Sequence, residues 1–498
     1  MKLCRCDYLL IVMFIISLAV RLFNIDVPLM DLYSFRQVQC AMTVNEYVQH
    51  GVRVFDYITP VFGEDARIPF EFPLYQLSAY FVYRYCPFID SVDLACRIAG
   101  LIWFYISAAL LYKLALAIFE KKSIALSSLL FYLFLPYSIY WSRAAMIEYC
   151  AVALSLAYAL FFIKWLARRS NALIYILALS FGSLAYMVKG TTVIAVAPIL
   201  VYFAVRRFFI LDGKVCLNEA ISKRELFLGI VALAEPLLAG LAWVKYTDIV
   251  KINNGFFALS SKALIKWNYG TIEQRFEFER WRRFFARFTD LILPGLWYYL
   301  PVLTLTIPIK NAGREKANGL IMSAILIFSM LLPGFIFFNL YYVHDYYYIA
   351  ITPIAALFSG FTAVLLYTEL NKKTFALVAA LLAVSLTVVP RYYIDSYFYR
   401  ADEYFSYNPV LLAAKEVRAT TEPSDRILFL DFDWGGDFQY YSRRNGATTK
   451  DVWFDNLRNK RFDFVVYKNK DNPILRRLGD IMVVKTVGDW KIAKISNN

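Results

Sequence analysis

MDLYSFRQVQCAMTVNEYVQHG, residues 30–51, follows directly on the first apolar run, Tyr8–Phe23. Its place relative to a bilayer decides how the chain is read. Asp31 stands where that run must leave the hydrocarbon, and Arg36 follows within the next turn or two. Charges are solvated cheaply at a membrane boundary and expensively inside it. Taken alone, the stretch is as readily an ordinary hydrophilic connection as a site. Two further carboxylates, Glu71 and Glu148, recur at the same expected membrane face.

Outward from this stretch, the 498-residue chain is 60% hydrophobic and only 18% charged. Soluble domains carry about a quarter charged residues. Successive apolar runs of roughly 17–25 residues mark a polytopic α-helical membrane protein. Only helices satisfy the backbone in runs of this length. The net charge of +14 is spread through short inter-helix loops. That distribution suits membrane topology and anionic headgroups better than nucleic acid, which is not expected as a partner. The two histidines rule out a His-rich zinc centre, and the seven cysteines lack metal spacing. Pairing of Cys40 with Cys86 stays open at this level. No small-x-small site follows Tyr8–Val20, so the first run reads as a retained anchor.

Reading in order, the segment 24–91 is an outer loop with an interfacial helix at Pro73–Tyr85. Crossings follow at about Val92–Phe119, Ser123–Trp141 and Ile147–Leu166, the last ending at Arg168-Arg169. Ala172–Val188 and Thr191–Val205 form a hairpin turning at Lys189-Gly190. Leu226–Tyr246 leads to a second outer segment, 248–290, with an amphipathic stretch at Phe276–Phe288. Further crossings fall at Leu291–Ile309, Leu320–Leu340, Tyr348–Leu370 and Phe375–Pro390. Basic residues recur on one side, giving about 11 spans with the amino terminus inside and the carboxy terminus outside. Residues 1–391 thus form the membrane domain. Residues 392–498 read as a small extracytoplasmic α/β domain, with strands at Arg426–Asp431 and Phe462–Tyr467 and helical stretches at Leu411–Arg418 and Asp451–Lys460.

Asp31, Glu71 and Glu148 converge topologically with Arg36, Arg143 and Lys189. Acids at such a face suit proton abstraction, and cations there suit a departing phosphate. Each acid singly is as readily structural as functional, and Lys189 is as readily a snorkelling side chain. His344 sits in VHDYYY with Tyr346 and Tyr347, which fits either an aromatic belt or a phosphate contact. Nucleotide-loop, zincin and nucleophile-elbow motifs are absent from the sequence, which disfavours a nucleotide-driven pump.

The carrying motifs are Asp31 with SFRQ (Ser34–Gln37), FEFPLY (Phe70–Tyr75), SRAAMIE (Ser142–Glu148), Lys189-Gly190 and HDYY (His344–Tyr347). In this order and placement, over about residues 1–390, the chain resembles a C-type (GT-C) membrane glycosyltransferase. The group is that of dolichyl-phosphate-mannose protein mannosyltransferases and aminoarabinose transferases (glycosyltransferase family 39-like). The resemblance implies an inverting transfer from a polyprenyl-monophosphate sugar to a glycan, lipid or protein acceptor at the extracytoplasmic face. By the same likeness Asp31 is the catalytic base, with Glu148 and Glu71 as the accompanying acids. Lys189, His344, Tyr346, Tyr347, Arg36 and Arg143 fall to the donor phosphate. Leu32 follows Asp31 where the family often has a second acid, so no metal or other cofactor is expected. Phe72 replaces the basic residue that aminoarabinose transferases carry after the interfacial acid. The expected setting is a bacterial inner membrane. A lipid-linked glycan polymerase or ligase, and a non-enzymatic flippase or transporter, are the competing readings. The transporter would more naturally show internal repeats and midplane polar groups.

Overall fold

A computed structural model of the chain describes residues 5–63, 66–167, 171–211, 214–215, 222–306, 314–387, 389–432, 434–450, 454–457 and 460–496. Helix α1 (Arg5–Leu22) exposes Ile11, Val12, Ile15 and Ile16, an apolar face suited to lipid. The next stretch is not an irregular loop. After Tyr33, left-handed at φ 56°, it winds into α2 (Ser34–His50), which buries Val38, Ala41, Met42 and Val44. Helix α3 (Leu74–Tyr85) matches the expected interfacial helix in extent. The Ser91 side chain caps α4 (Val92–Phe119) by accepting from the Leu94 amide at 3.2 Å.

The expected crossing Ser123–Trp141 is two helices, α5 (Lys122–Phe134) and α6 (Pro136–Trp141). Pro136 cannot donate to a preceding carbonyl, so the helix breaks before it. Helix α7 (Glu148–Ala167) is buried along almost its whole length and forms the middle of the bundle. Helical residues then run from Ala172 to Phe209 as α8, with one non-helical residue, Lys189 at φ −163° and ψ 87°. The chain doubles back there. Tyr175, near one end of α8, donates its hydroxyl to the Leu228 carbonyl at 3.1 Å. Phe208, at the other end, packs on Gly229. A straight helix of that length would hold these residues about 50 Å apart at 1.5 Å per residue. The expected hairpin at Lys189-Gly190 is therefore what the contacts require.

Strands β1 (Ile210–Leu211) and β2 (Lys214–Val215) pair antiparallel before α9 (Lys223–Asn253), which opens on a Ser222–Glu225 capping box. The second expected outer segment holds α10 (Ile265–Tyr269), α11 (Ile272–Phe276) and α12 (Phe278–Arg287). The crossing expected at Leu291–Ile309 is broken into a π turn, a 3-10 turn and α13 (Leu300–Thr306). Its end lies outside the described residues, as do Arg168-Arg169. Helices α14 (Arg314–Ile336), α15 (Phe338–Val343), α16 (Thr352–Glu369) and α17 (Lys372–Ser385) complete the bundle. Against about 11 expected spans, 6 helices among the described residues are long and apolar enough to cross a bilayer, with α8 counted once. Proline breaks, and apolar helices as short as Leu10–Leu22 and Lys122–Phe134, account for most of the difference.

Beyond α18 (Arg391–Phe398), α19 (Ala401–Tyr407) and α20 (Pro409–Thr420), the chain builds a five-stranded sheet in the order β4-β3-β5-β7-β6. Its strands are β3 (Ile427–Phe429), β4 (Gly446–Thr448), β5 (Phe464–Tyr467), β6 (Ile481–Val487) and β7 (Trp490–Ile495). β3 runs parallel to β4 and β5; β7 runs antiparallel to both its neighbours. The helix expected at Asp451–Lys460 lies largely outside the described residues, which show a single 3-10 turn at Asp455–Leu457. Between β3 and β4 the short α21 (Asp437–Ser442) packs on α2, with Gly436 against Met42.

One glycine fixes how α4 meets the start of α7. A Cβ on Gly100 would lie 2.8 Å from the Ala144 carbonyl oxygen and 3.1 Å from that of Ser142. Both obstacles are backbone and cannot swing aside. Gly100→Val is expected to destabilise the protein by about 1–3 kcal/mol through overpacking, read as a lower melting temperature in detergent. A variant as stable as wild type would refute this packing.

Candidate functional site: three ion pairs over an aromatic floor

Asp31 is held from two sides. Its Oδ2 pairs with Arg97 Nη1 at 3.2 Å, and its Oδ1 accepts from Gln37 Nε2 at 2.6 Å. Arg97 lies one turn into α4 and is wholly buried. Its remaining donors go to the carbonyls of Val27 (3.1 Å), Pro28 (2.9 Å) and Arg143 (3.2 Å). Gln37, on the first turn of α2, turns its amide oxygen to the Ala145 amide at 2.9 Å. Asp31 is thereby tied to the turn that delivers Glu148.

Glu148 opens α7, where the helix N-terminus favours a carboxylate. Its Oε1 accepts from Lys189 Nζ at 2.5 Å, with side-chain exposures of 4% and 11%. The α8 reversal sets Lys189 there. Glu148 Oε2 is buried with no hydrogen-bond partner. Glu71, two residues before Pro73, forms an ion pair with Arg36, whose other arm donates to Gln39 Oε1 at 3.2 Å. The Glu71 backbone is fixed in turn by the Tyr57 hydroxyl, which donates to its carbonyl at 2.8 Å. Each of the three acids thus has its own cation.

Below Lys189 lie aromatic rings. Its ammonium stands 4.2 Å from the Tyr347 ring centroid and 5.2 Å from that of Tyr346, within cation–π range. His344 stacks on Tyr346 at 5.1 Å and meets Tyr33 edge-on at 5.4 Å. Burial, with the nearby charges of Lys189, Arg287 and Arg36, pushes His344 down to about 4. The ring is neutral at ordinary pH, and its Nδ1 is buried without a partner. Two polar atoms are therefore orphaned here, one on the carboxylate that pairs with Lys189 and one on the ring stacked against Tyr346. Buried polar atoms are normally paired, so these are places for a ligand's donors and acceptors.

Of the residues expected at a site, Asp31, Arg36, Glu71, Glu148, Lys189, His344, Tyr346 and Tyr347 join this network. Arg143 is turned elsewhere. It donates to the carbonyls of Phe23 and Asn24 (the latter at 2.8 Å) and stacks over Tyr397 at 4.4 Å. Sequence reading gave no site role to Arg97, to Gln37 of the SFRQ motif or to Arg287. Arg97 carried a signal, since a charge inside an apolar run is a functional candidate by default. Arg287 binds the carbonyls of Tyr341 and Val343 and so anchors the HDYY turn to α12. Cys40 is a buried free thiol, pushed up to about 12 by burial, and Cys86 is free and exposed. Among the described residues, no three His, Cys, Asp or Glu side chains are placed to hold a metal ion.

Residues 77–237 match the family model of dolichyl-phosphate-mannose-protein mannosyltransferases. That segment contains Arg97, Glu148 and Lys189. No curated protein sequence matches the chain. Among solved structures, ArnT from Cupriavidus metallidurans bound to undecaprenyl phosphate is 12% identical, covers 98% of both chains and superposes with a TM-score of 0.61. The Archaeoglobus fulgidus oligosaccharyltransferase AglB, in complex with an inhibitory peptide and a dolichol-phosphate, is 11% identical. It covers 92% of this chain and 68% of its own, with a TM-score of 0.54. The matched segment and the shared fold are thus similar to those of the C-type (GT-C) membrane glycosyltransferases, the group that the sequence motifs resemble.

Proposed function

We propose that the protein transfers a sugar, with inversion, from a polyprenyl monophosphate to an acceptor at the extracytoplasmic face of a bacterial inner membrane. The carrying observation is Lys189, set between Glu148, whose Oε2 is unpartnered, and the Tyr346–Tyr347 rings. An ammonium has three donors. Glu148 uses one, which leaves two for a phosphate.

In this reading the acceptor's hydroxyl or amine gives its proton to Asp31 and attacks the anomeric carbon. The bond from that carbon to the phosphate oxygen breaks, and both its electrons leave with the polyprenyl phosphate. Lys189 and Arg36 take up the charge that develops there, which is where electrostatic stabilisation has the most effect. A carboxylate offers about four lone-pair sites. Arg97 and Gln37 fill one on each oxygen, so Asp31 keeps capacity for the incoming proton and is held from rotating. Neutral His344 serves as a hydrogen-bonding partner to the phosphate rather than as a cation. Arg143 has no part in the donor site. The sheet-bearing segment 392–498 lies on the extracytoplasmic side, and no step requires a metal.

Purified protein with a panel of polyprenyl-phosphate sugars should release free polyprenyl phosphate. Asp31→Asn should cut that release by about 100-fold or more, in line with loss of a general base, while donor binding persists. Full turnover by Asp31→Asn would end the assignment. Lys189→Met should instead weaken donor binding and slow transfer together, because the same contact serves ground state and leaving group.

His344 gives a pH signature. The unfolded ring takes its proton near 6.5 and the folded one at about 4. Its contribution to stability is therefore fully present above the unfolded value and is lost as pH falls from there toward the folded one. Melting temperatures of wild type and His344→Gln, compared across that window, should show a shallower decline in the variant. Parallel curves would contradict the buried, neutral ring.

A further inference from the structure

The segment 27–31 is gripped from two directions, and one grip comes from the far end of the chain. Arg97 takes the carbonyls of Val27 and Pro28. The next backbone group, the Leu29 amide, donates to the Tyr441 hydroxyl at 2.6 Å. Tyr441 belongs to α21, between β3 and β4 of the carboxy-terminal sheet. Its hydroxyl donates onward to Asp93 Oδ2 at 2.9 Å, and the Tyr440 hydroxyl donates to Asp93 Oδ1 at 2.5 Å. Asp93 sits one turn before Arg97 on α4, so the two share a helix face.

The contacts form a closed loop. It runs from Asp31 to Arg97, along α4 to Asp93, across to Tyr441 and back to Leu29, two residues from the start. A hydroxyl that accepts from an amide while donating to a carboxylate strengthens both bonds. Two flanking contacts keep α21 seated. Gln39 Nε2 donates to the Trp434 carbonyl at 3.1 Å, and Gln439 Nε2 to that of Pro60 at 2.8 Å.

We propose that the carboxy-terminal sheet domain positions the catalytic base, with Tyr441 as the positioning residue that couples α21 through Leu29 and Asp93 to Asp31. The role assigned to Asp31 rests on the function proposed above; the coupling itself does not. Tyr440 braces Asp93 through its hydroxyl and, unlike Tyr441, has no hydrogen bond to the described residues 27–31.

The test pairs hydrogen–deuterium exchange with turnover in full-length protein, comparing wild type, Tyr441→Phe and Tyr440→Phe. Tyr441→Phe should lose about tenfold in exchange protection over residues 25–33 and about tenfold in kcat. Its KM for the polyprenyl-phosphate sugar and its melting temperature should stay near wild type, and the acidic limb of its pH–rate profile should move. Tyr440→Phe should show smaller changes in both. Unchanged protection in Tyr441→Phe would overturn the coupling whatever the activity. Lost protection with an unaltered kcat and pH profile would overturn the positioning role. Equal falls in melting temperature and protection across the whole chain would also overturn it, by reducing Tyr441 to a folding contact. Lost protection in a protein whose wild type releases no polyprenyl phosphate would uphold the coupling and overturn the glycosyl-transfer reading.

Discussion

Arg97 has no water to fall back on. It is fully buried, and each of its three nitrogens reaches a named oxygen. A buried guanidinium left short of partners is strongly destabilising, and removing one member of a buried ion pair costs about 3–5 kcal/mol. The fold around Arg97 is therefore constrained to bring Val27, Pro28, Asp31 and Arg143 to one point. Two more arginines work alongside it. Arg21 donates to Ser142 Oγ at 2.8 Å and to the Leu133 carbonyl at 2.9 Å, with its guanidinium 4.2 Å from the Phe104 ring. Arg143 reaches back to the end of α1. Three arginines on separate elements thus fasten the turn that ends in Glu148.

The consequence is a division of labour among charges. Arg21, Arg97 and Arg143 point their donors at fixed backbone or side-chain oxygens and act as staples. Lys189 and Arg36 are paired with single acids and keep donors in reserve. The difference follows from shape. A guanidinium presents donors in a rigid fork that a cluster of carbonyls can saturate, whereas an ammonium is a compact charge on a flexible stem. Lys189 also gains from the Tyr346 and Tyr347 faces, which attract the cation without filling its hydrogen-bonding sites.

How far the sequence disclosed this depends on the kind of signal. Long apolar runs such as 92–119 and 148–167 were legible because hydrocarbon permits only helix there. The reversal at Lys189-Gly190 was legible because a cation and a glycine interrupt an apolar run. Helix α2 was not, since its polar residues serve as links: Gln37 and Gln39 are buried by bonds to Asp31, Ala145 and Trp434. Proline breaks at Pro136 and Pro294 made single crossings look longer than they are. The acids and cations of the site were readable as a set, but their pairing was not. Arg36 sits close to Asp31 in sequence and pairs with Glu71 instead. Arg143, equally suggestive in the chain, is a staple. Pairing is a property of three-dimensional register, which short-range spacing does not encode.

The matched family segment, 77–237, adds a physical point. It contains Lys189, which the proposed mechanism gives to the phosphate, Glu148, which holds Lys189, and Arg97, which holds the proposed base. Asp31 and Tyr441 fall outside it. The phosphate that joins sugar to carrier presents the same charge and oxygens whatever sugar and acceptor are involved, so its cradle is set by fixed chemistry. The base must instead meet an acceptor whose shape is free to differ. Its placement through a loop, with Tyr441 of a separate sheet as one of the holding groups, lets that geometry be adjusted from the carboxy-terminal end without disturbing the buried arginine staples that hold the bundle together.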